Sequence, residues 1–144
     1  MYAWIAVKTF SLVSIFFVAV LVAACTDNPT TPSQSPTFTK IDLALGNGAV
    51  AASGNTLTVN YTGWLYDPTK TDSKGLEFDT ETAFQFSLGS GQVIAGWDQG
   101  LLGMNVGGLR RLIIPASMAY GSGRSGAIPP NAALVFDIQL TAVQ

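Results

Sequence analysis

The sequence predicts one antiparallel α+β domain, in which strands dominate and a single short helix packs on the sheet. Apolar and polar residues alternate in separate segments from Ile41 to Leu140, the period-two mark of half-buried strands. Only Ile94, Trp97, Leu101 and Met104 fall at helical intervals, on one face of a short helix. Runs rich in Gly, Pro, Ser and Asn divide these segments, and there is no internal repeat.

The elements follow in order. Ile41, Leu43 and Leu45 alternate with Asp42 and Ala44 before the turn Gly46-Asn47-Gly48. Leu57, Val59 and Tyr61 alternate with Thr58, Asn60 and Thr62, and Phe84, Phe86 and Leu88 with Gln85 and Ser87. In the helix, Ile94 to Met104, Gly100 and Gly103 lower intrinsic stability, so packing on the concave face of the sheet must hold it. Leu112 and Ile114 form a strand ahead of Pro115, and Leu134, Phe136, Ile138 and Leu140 close the domain. Asp67–Gly75 and Gly121–Asn131 fit neither period and read as loops, the second exposing one aliphatic residue, Ile128. Loops of this kind often carry binding groups on a rigid scaffold.

Ahead of the domain lies an address. Lys8 precedes an apolar run from Phe10 to Ala24. It reaches roughly 22 Å as a helix, short of the ~30 Å hydrocarbon core. A positive charge, an apolar stretch and the small residues Ala23-Ala24 describe a secretory signal. Leu21-Val22-Ala23-Ala24-Cys25 resembles a bacterial lipobox, which makes Cys25 the lipidated first residue of the mature chain and 1–25 a lipoprotein signal peptide. Thr26 is not an aspartate, so nothing there argues for retention in an inner membrane. The expected place is the cell envelope, lipid-anchored, at the outer membrane facing the periplasm where two membranes exist. Residues 26–37, rich in Pro, Thr and Ser, hold no large apolar side chain and read as a tether. The domain proper is 38–144.

Composition narrows the chemistry. Among 144 residues there is no histidine and one cysteine. Ser-His-Asp and Cys-His catalysis, imidazole metal sites and an intrachain disulfide are therefore excluded. Neither cofactor nor metal is expected. The formal net charge is −2 and no basic run exceeds Arg110-Arg111, so nucleic acid is not a partner. What the domain has in excess is aromatic rings, which either fill the core or line an apolar pocket with a few polar groups for orientation.

The residues that carry a resemblance come in blocks: Val59-Asn60-Tyr61-Thr62-Gly63-Trp64-Leu65; Phe78-Asp79; Phe84-Gln85-Phe86-Ser87-Leu88-Gly89; Gln92-Val93-Ile94-Ala95-Gly96-Trp97-Asp98-Gln99-Gly100-Leu101; Met104 to Gly108; Ala119-Tyr120-Gly121; Ile128-Pro129-Pro130-Asn131-Ala132; and Leu134-Val135-Phe136-Asp137. In composition and order they are similar to the blocks of FKBP-type peptidyl-prolyl cis-trans isomerases, over Phe38 to Gln144. The resemblance implies a strongly bent antiparallel sheet wrapped around the Ile94–Met104 helix. Trp97 is then the floor of a pocket. Tyr61, Phe78, Asp79, Tyr120 and Phe136 complete the catalytic set, and Phe84, Val93, Ile94 and Ile128 bind substrate. The Ile94 N–H and the Tyr120 hydroxyl are implied ligand donors. Implied partners are proline-containing unfolded or partly folded polypeptides, together with macrolide inhibitors.

The physics agrees without the family. Twisting a peptide bond costs ~18–20 kcal/mol because resonance is lost, and X-Pro exchange takes tens to hundreds of seconds. No atom need be transferred, so a chain without histidine is suited to it. A dry aromatic cavity favours the less charge-separated twisted amide, and fixed donors orient its carbonyl. The alternative is a non-catalytic proline-peptide binding or chaperone module on the same fold. A third reading, a structural lipoprotein, predicts no open pocket at Trp97.

Several charged residues carry their own expectations. Asp79 either bonds Tyr61 or holds a strand-end turn. Only Thr80-Glu81-Thr82-Ala83 separates it from Phe84, a shorter bulge than is usual in the family, and the arginine that often pairs with it is missing. Arg110-Arg111 is expected on a solvated strand face, Arg124 at an exposed loop tip, Asp98 stabilising the first helical turn and Asp137 in a structural hydrogen bond.

Overall fold

The computed structural model describes residues 35–144. The signal segment 1–25, Cys25 and residues 26–34 of the tether lie outside the described residues. Among the described residues, five strands and one α-helix follow in chain order: β1 Thr39–Ala44, β2 Thr56–Tyr66, β3 Lys74–Ser87, α1 Ala95–Gly100, β4 Leu109–Ile114 and β5 Leu134–Val143, with a short 3-10 helix, Ala116–Met118, between β4 and β5. The sheet runs β1-β4-β5-β2-β3 and every pairing is antiparallel. The fold class is the one the alternation and the single helical segment imply.

The core lies between α1 and the face of the sheet that carries Leu57, Val59, Leu112, Ile114, Ile138 and Leu140, all 1% exposed or less. Gly96 lets the helix sit close, because a Cβ there would stand 2.5 Å from Ile114 Cγ2. The regular helix is shorter than the Ile94–Met104 apolar face suggests. Ile94 is its N-cap and Leu101 its C-cap, and Gly103 turns the chain away at φ +74°. Met104 still reaches the core, 2% exposed, from the turn beyond.

Two strands depart from their patterns. Ile41, Leu43 and Leu45 were expected half-buried, yet they are 42%, 44% and 85% exposed. β1 is an edge strand paired only to β4, with a register shift between Asp42 and Ala44, so alternation there buries nothing. The first half of β3, Lys74 to Glu81, shows no alternation because it too lies at an edge and is largely solvated. Its Lys74-Gly75 start takes the end off the expected Asp67–Gly75 loop.

The paired arginines are not solvated. Arg110 is 7% exposed. Its Nε donates to Asp42 Oδ1 at 2.6 Å, and its Nη1 donates to the carbonyls of Gly100 at 2.8 Å and Leu102 at 3.2 Å. One buried guanidinium thus satisfies helix-end carbonyls and ties α1 to β1. Arg111 forms a two-point pair with Asp137 at 2.7 and 2.9 Å, and Lys74 donates to the same carboxylate at 2.7 Å. Burial alone would raise the Asp137 carboxyl, but bonds from Arg111 and Lys74 hold it below the usual range. The structural hydrogen bond expected of Asp137 is an ion triad, with the Lys74 ammonium also 3.9 Å from the centre of the Trp64 ring.

Candidate functional site

Nine residues named from the sequence meet Gln92 around one open cavity of about 320 Å³. β2 brings Tyr61, β3 brings Phe78, Asp79 and Phe84, the start of α1 brings Val93, Ile94 and Trp97, and β5 brings Phe136. Tyr120 comes from the loop after β4.

Trp97 sits at the base, 4% exposed. Its indole meets Tyr61 at 4.9 Å and Phe136 at 5.2 Å between ring centres, nearly perpendicular in both cases. Phe86 lies 5.5 Å and Phe84 6.1 Å away. Edge-to-face packing of this kind fixes rings more firmly than area burial alone. The Trp97 Nε1–H is buried and has no conventional acceptor among the described residues, so rings rather than a hydrogen bond set its orientation. Gly63 supplies the remaining space, since a Cβ there would be 2.7 Å from the Phe136 ring and 2.8 Å from Phe78.

The rim is polar. The Tyr61 hydroxyl donates to Asp79 Oδ2 at 2.6 Å. Of the two readings of Asp79, the geometry therefore displays the bond to Tyr61. Burial first, then that bond and the charges of Asp79 and Glu81, push the Tyr61 phenol far above its ordinary range. The short bulge closes at Ala83, which takes φ +57° and donates its N–H to Asn60 Oδ1 at 2.9 Å. Tyr120 lines the cavity and is 43% exposed. Arg124 is exposed at the loop tip, its Nε 3.5 Å from the Gly126 carbonyl.

One expectation needs correction. Ile128 is not exposed: it is 5% exposed and belongs to the core, and it is not among the residues that line the cavity. The backbones of Ser125 and Ile128 bond to each other in both directions, at 3.2 and 2.8 Å, and this tight turn accompanies an inward-facing side chain. Asp98 lies in the first turn of α1, where a carboxylate is favourable, as expected. Its two oxygens accept the N–H groups of Gly89 at 2.7 Å and Gly91 at 3.1 Å, fixing the loop that leads into the site. Gln92 was not singled out from the sequence, where its only signal is its place beside Val93 and Ile94.

Comparison with known proteins decides the family. The family model for FKBP-type peptidyl-prolyl cis-trans isomerase matches residues 48–141. The chain belongs to this family. A FK506-binding protein of Neisseria meningitidis serogroup B is 48% identical over 103 residues, covering 71% of this chain and 92% of that protein. One from Streptomyces anulatus is 47% identical over 108 residues, covering 71% of this chain and 82% of its own length. The crystal structure of a peptidyl-prolyl cis-trans isomerase from Pseudomonas syringae pv. tomato superposes with a TM-score of 0.63 at 35% identity, over 74% of this chain and 75% of that one. This FKBP-type chain is a peptidyl-prolyl cis-trans isomerase, and its five-stranded sheet with one short helix is the fold of its structural neighbours.

Proposed function

We propose that this isomerase turns X-Pro bonds of cell-envelope polypeptides in the cavity above Trp97. The observation that carries the proposal is the open aromatic hollow itself, since a core that only filled space would leave none. The proline ring enters against Trp97, Tyr61, Phe78 and Phe136, and Phe84, Val93 and Ile94 pack its neighbours. Leaving water, the amide loses the solvation that favours its planar, charge-separated form. The Tyr120 hydroxyl and the Ile94 N–H orient carbonyls, and Asp79 acts through Tyr61, whose hydroxyl it holds. None of these groups transfers a proton to the substrate.

Lipid on Cys25 would hold the enzyme at a membrane, with residues 26–37 as the spacer and 38–144 as the working domain. Two relatives are FK506-binding proteins by name, and we extend macrolide binding to this cavity, with a rim altered at Asp79.

The test is the cis-to-trans relaxation of short X-Pro peptides. Acceleration is expected, greatest with an apolar residue before proline because the adjoining wall is apolar. Trp97→Ala and Phe136→Ala variants that remain folded and turn over as fast as the parent would contradict the assignment. Loss of lipid labelling in Cys25→Ala tests the anchor.

A further inference from the structure

We infer that the side-chain amide of Gln92 is a substrate-gripping group, donating its Nε2–H to a backbone carbonyl of the polypeptide flanking the proline. The inference rests on the cavity above Trp97 being the substrate site. Gln92 lines that cavity from the loop between β3 and α1. Its Oε1 accepts the backbone N–H of Ser87 at 2.9 Å. A backbone N–H only donates, so the oxygen must face Ser87 and the amide nitrogen must face away from it. The orientation is set by a neighbour of fixed polarity.

The loop that carries Gln92 is held on several sides. Asp98 accepts from Gly89 and Gly91. The Ser90 hydroxyl donates to the Ser87 carbonyl at 2.7 Å, and the Leu88 N–H donates to Asn55 at 2.9 Å. A donor mounted on such a loop loses little freedom when a ligand arrives, which is what makes one hydrogen bond count in binding. The other walls of the cavity are mostly rings, with polar side chains at Asp79, Tyr61 and Tyr120. Asp79 and Tyr61 already bond each other. The Gln92 amide therefore adds a neutral donor beside Val93, where an extended chain would present carbonyls rather than a proline ring. Its consequence is selectivity for polypeptides over isolated proline amides.

Gln92→Glu tests the inference, because a carboxylate keeps the acceptor for Ser87 and deletes the donor. The full-length variant should melt with the parent. At neutral pH it should lose roughly three- to tenfold in kcat/KM on a tetrapeptide X-Pro substrate, the range one neutral hydrogen bond supports. The loss should fall on KM and shrink for an N-acetylproline amide. Below the pH at which the introduced carboxyl protonates, a donor returns, and the ratio to the parent at the same pH should climb toward one. A folded variant equal to the parent at neutral pH overturns the inference.

A second measurement needs no variant. When the parent is titrated with the tetrapeptide, the Gln92 side-chain amide resonances should shift together with the Trp97 indole N–H. Trp97 shifting with the Gln92 amide unmoved overturns this inference alone. Peptide bound with Trp97 itself unmoved overturns the pocket assignment on which it rests.

Discussion

The Tyr61 hydroxyl lies 2.6 Å from Asp79 Oδ2 and donates to it, joining the residue above the indole to the one acidic group that lines the cavity. Because Tyr61 is pushed well above the ordinary tyrosine value, the folded state keeps its phenol proton where the unfolded chain, titrating near 10, releases it. The sign follows: this contribution to stability is full below about pH 10 and is lost as pH rises through the folded value. Asp79→Asn removes the neighbouring charge and should bring the phenolate absorbance of Tyr61 to lower pH. Parent and variant titrating alike would contradict the coupling.

Trp97 and Phe136 serve core and cavity at once, each 4% exposed. Trp97→Ala or Phe136→Ala should cost about 3–5 kcal/mol of stability and lower activity as well. Tyr120→Phe, at a residue 43% exposed, should melt as the parent does and weaken ligand capture. A variant matching the parent in both removes Tyr120 from the site.

Gly96→Ala should destabilise the fold by about 1–3 kcal/mol, although alanine is the better helix former by about 1 kcal/mol. The added methyl would stand 2.5 Å from Ile114 Cγ2 and 2.7 Å from its Cδ1. Shortening the partner with Ile114→Val should make the double variant cost less than the sum of the singles. Urea unfolding reads the difference, and strict additivity would deny the contact.

Arg110→Lys should cost about 1.5–3 kcal/mol, the range of hydrogen bonds to a charged group. An ammonium cannot bond Asp42 and the carbonyls of Gly100 and Leu102 with the reach of a planar fork. Thermal melting of the two proteins checks it. An unchanged melting temperature would mean that the guanidinium is not holding the end of α1.

Much of the molecule was legible because its alternation coincided with burial. Leu57, Val59, Leu134, Phe136, Ile138 and Leu140 alternate and are buried, so their strands could be read directly. Ile41 and Leu43 alternate equally well on an edge strand that nothing among the described residues covers; alternation reports a face, not what lies on it. Arg110 looked solvated because sequence cannot show that helix-end carbonyls converge on it. In the site, rings quoted in the family's blocks gather around the cavity. Ile128 was read as exposed because a loop residue has no period to reveal which way it faces, and Gln92 was overlooked because its orientation depends on Ser87, a contact made only once the loop closes.

Through-space proton contacts between a bound X-Pro peptide and the rings provide the most direct test of the central claim. The account predicts contacts from the proline ring protons to the Trp97 indole, with Phe136 and Tyr61 beside it. A peptide whose isomerisation is accelerated while its proline protons touch none of these rings would contradict it.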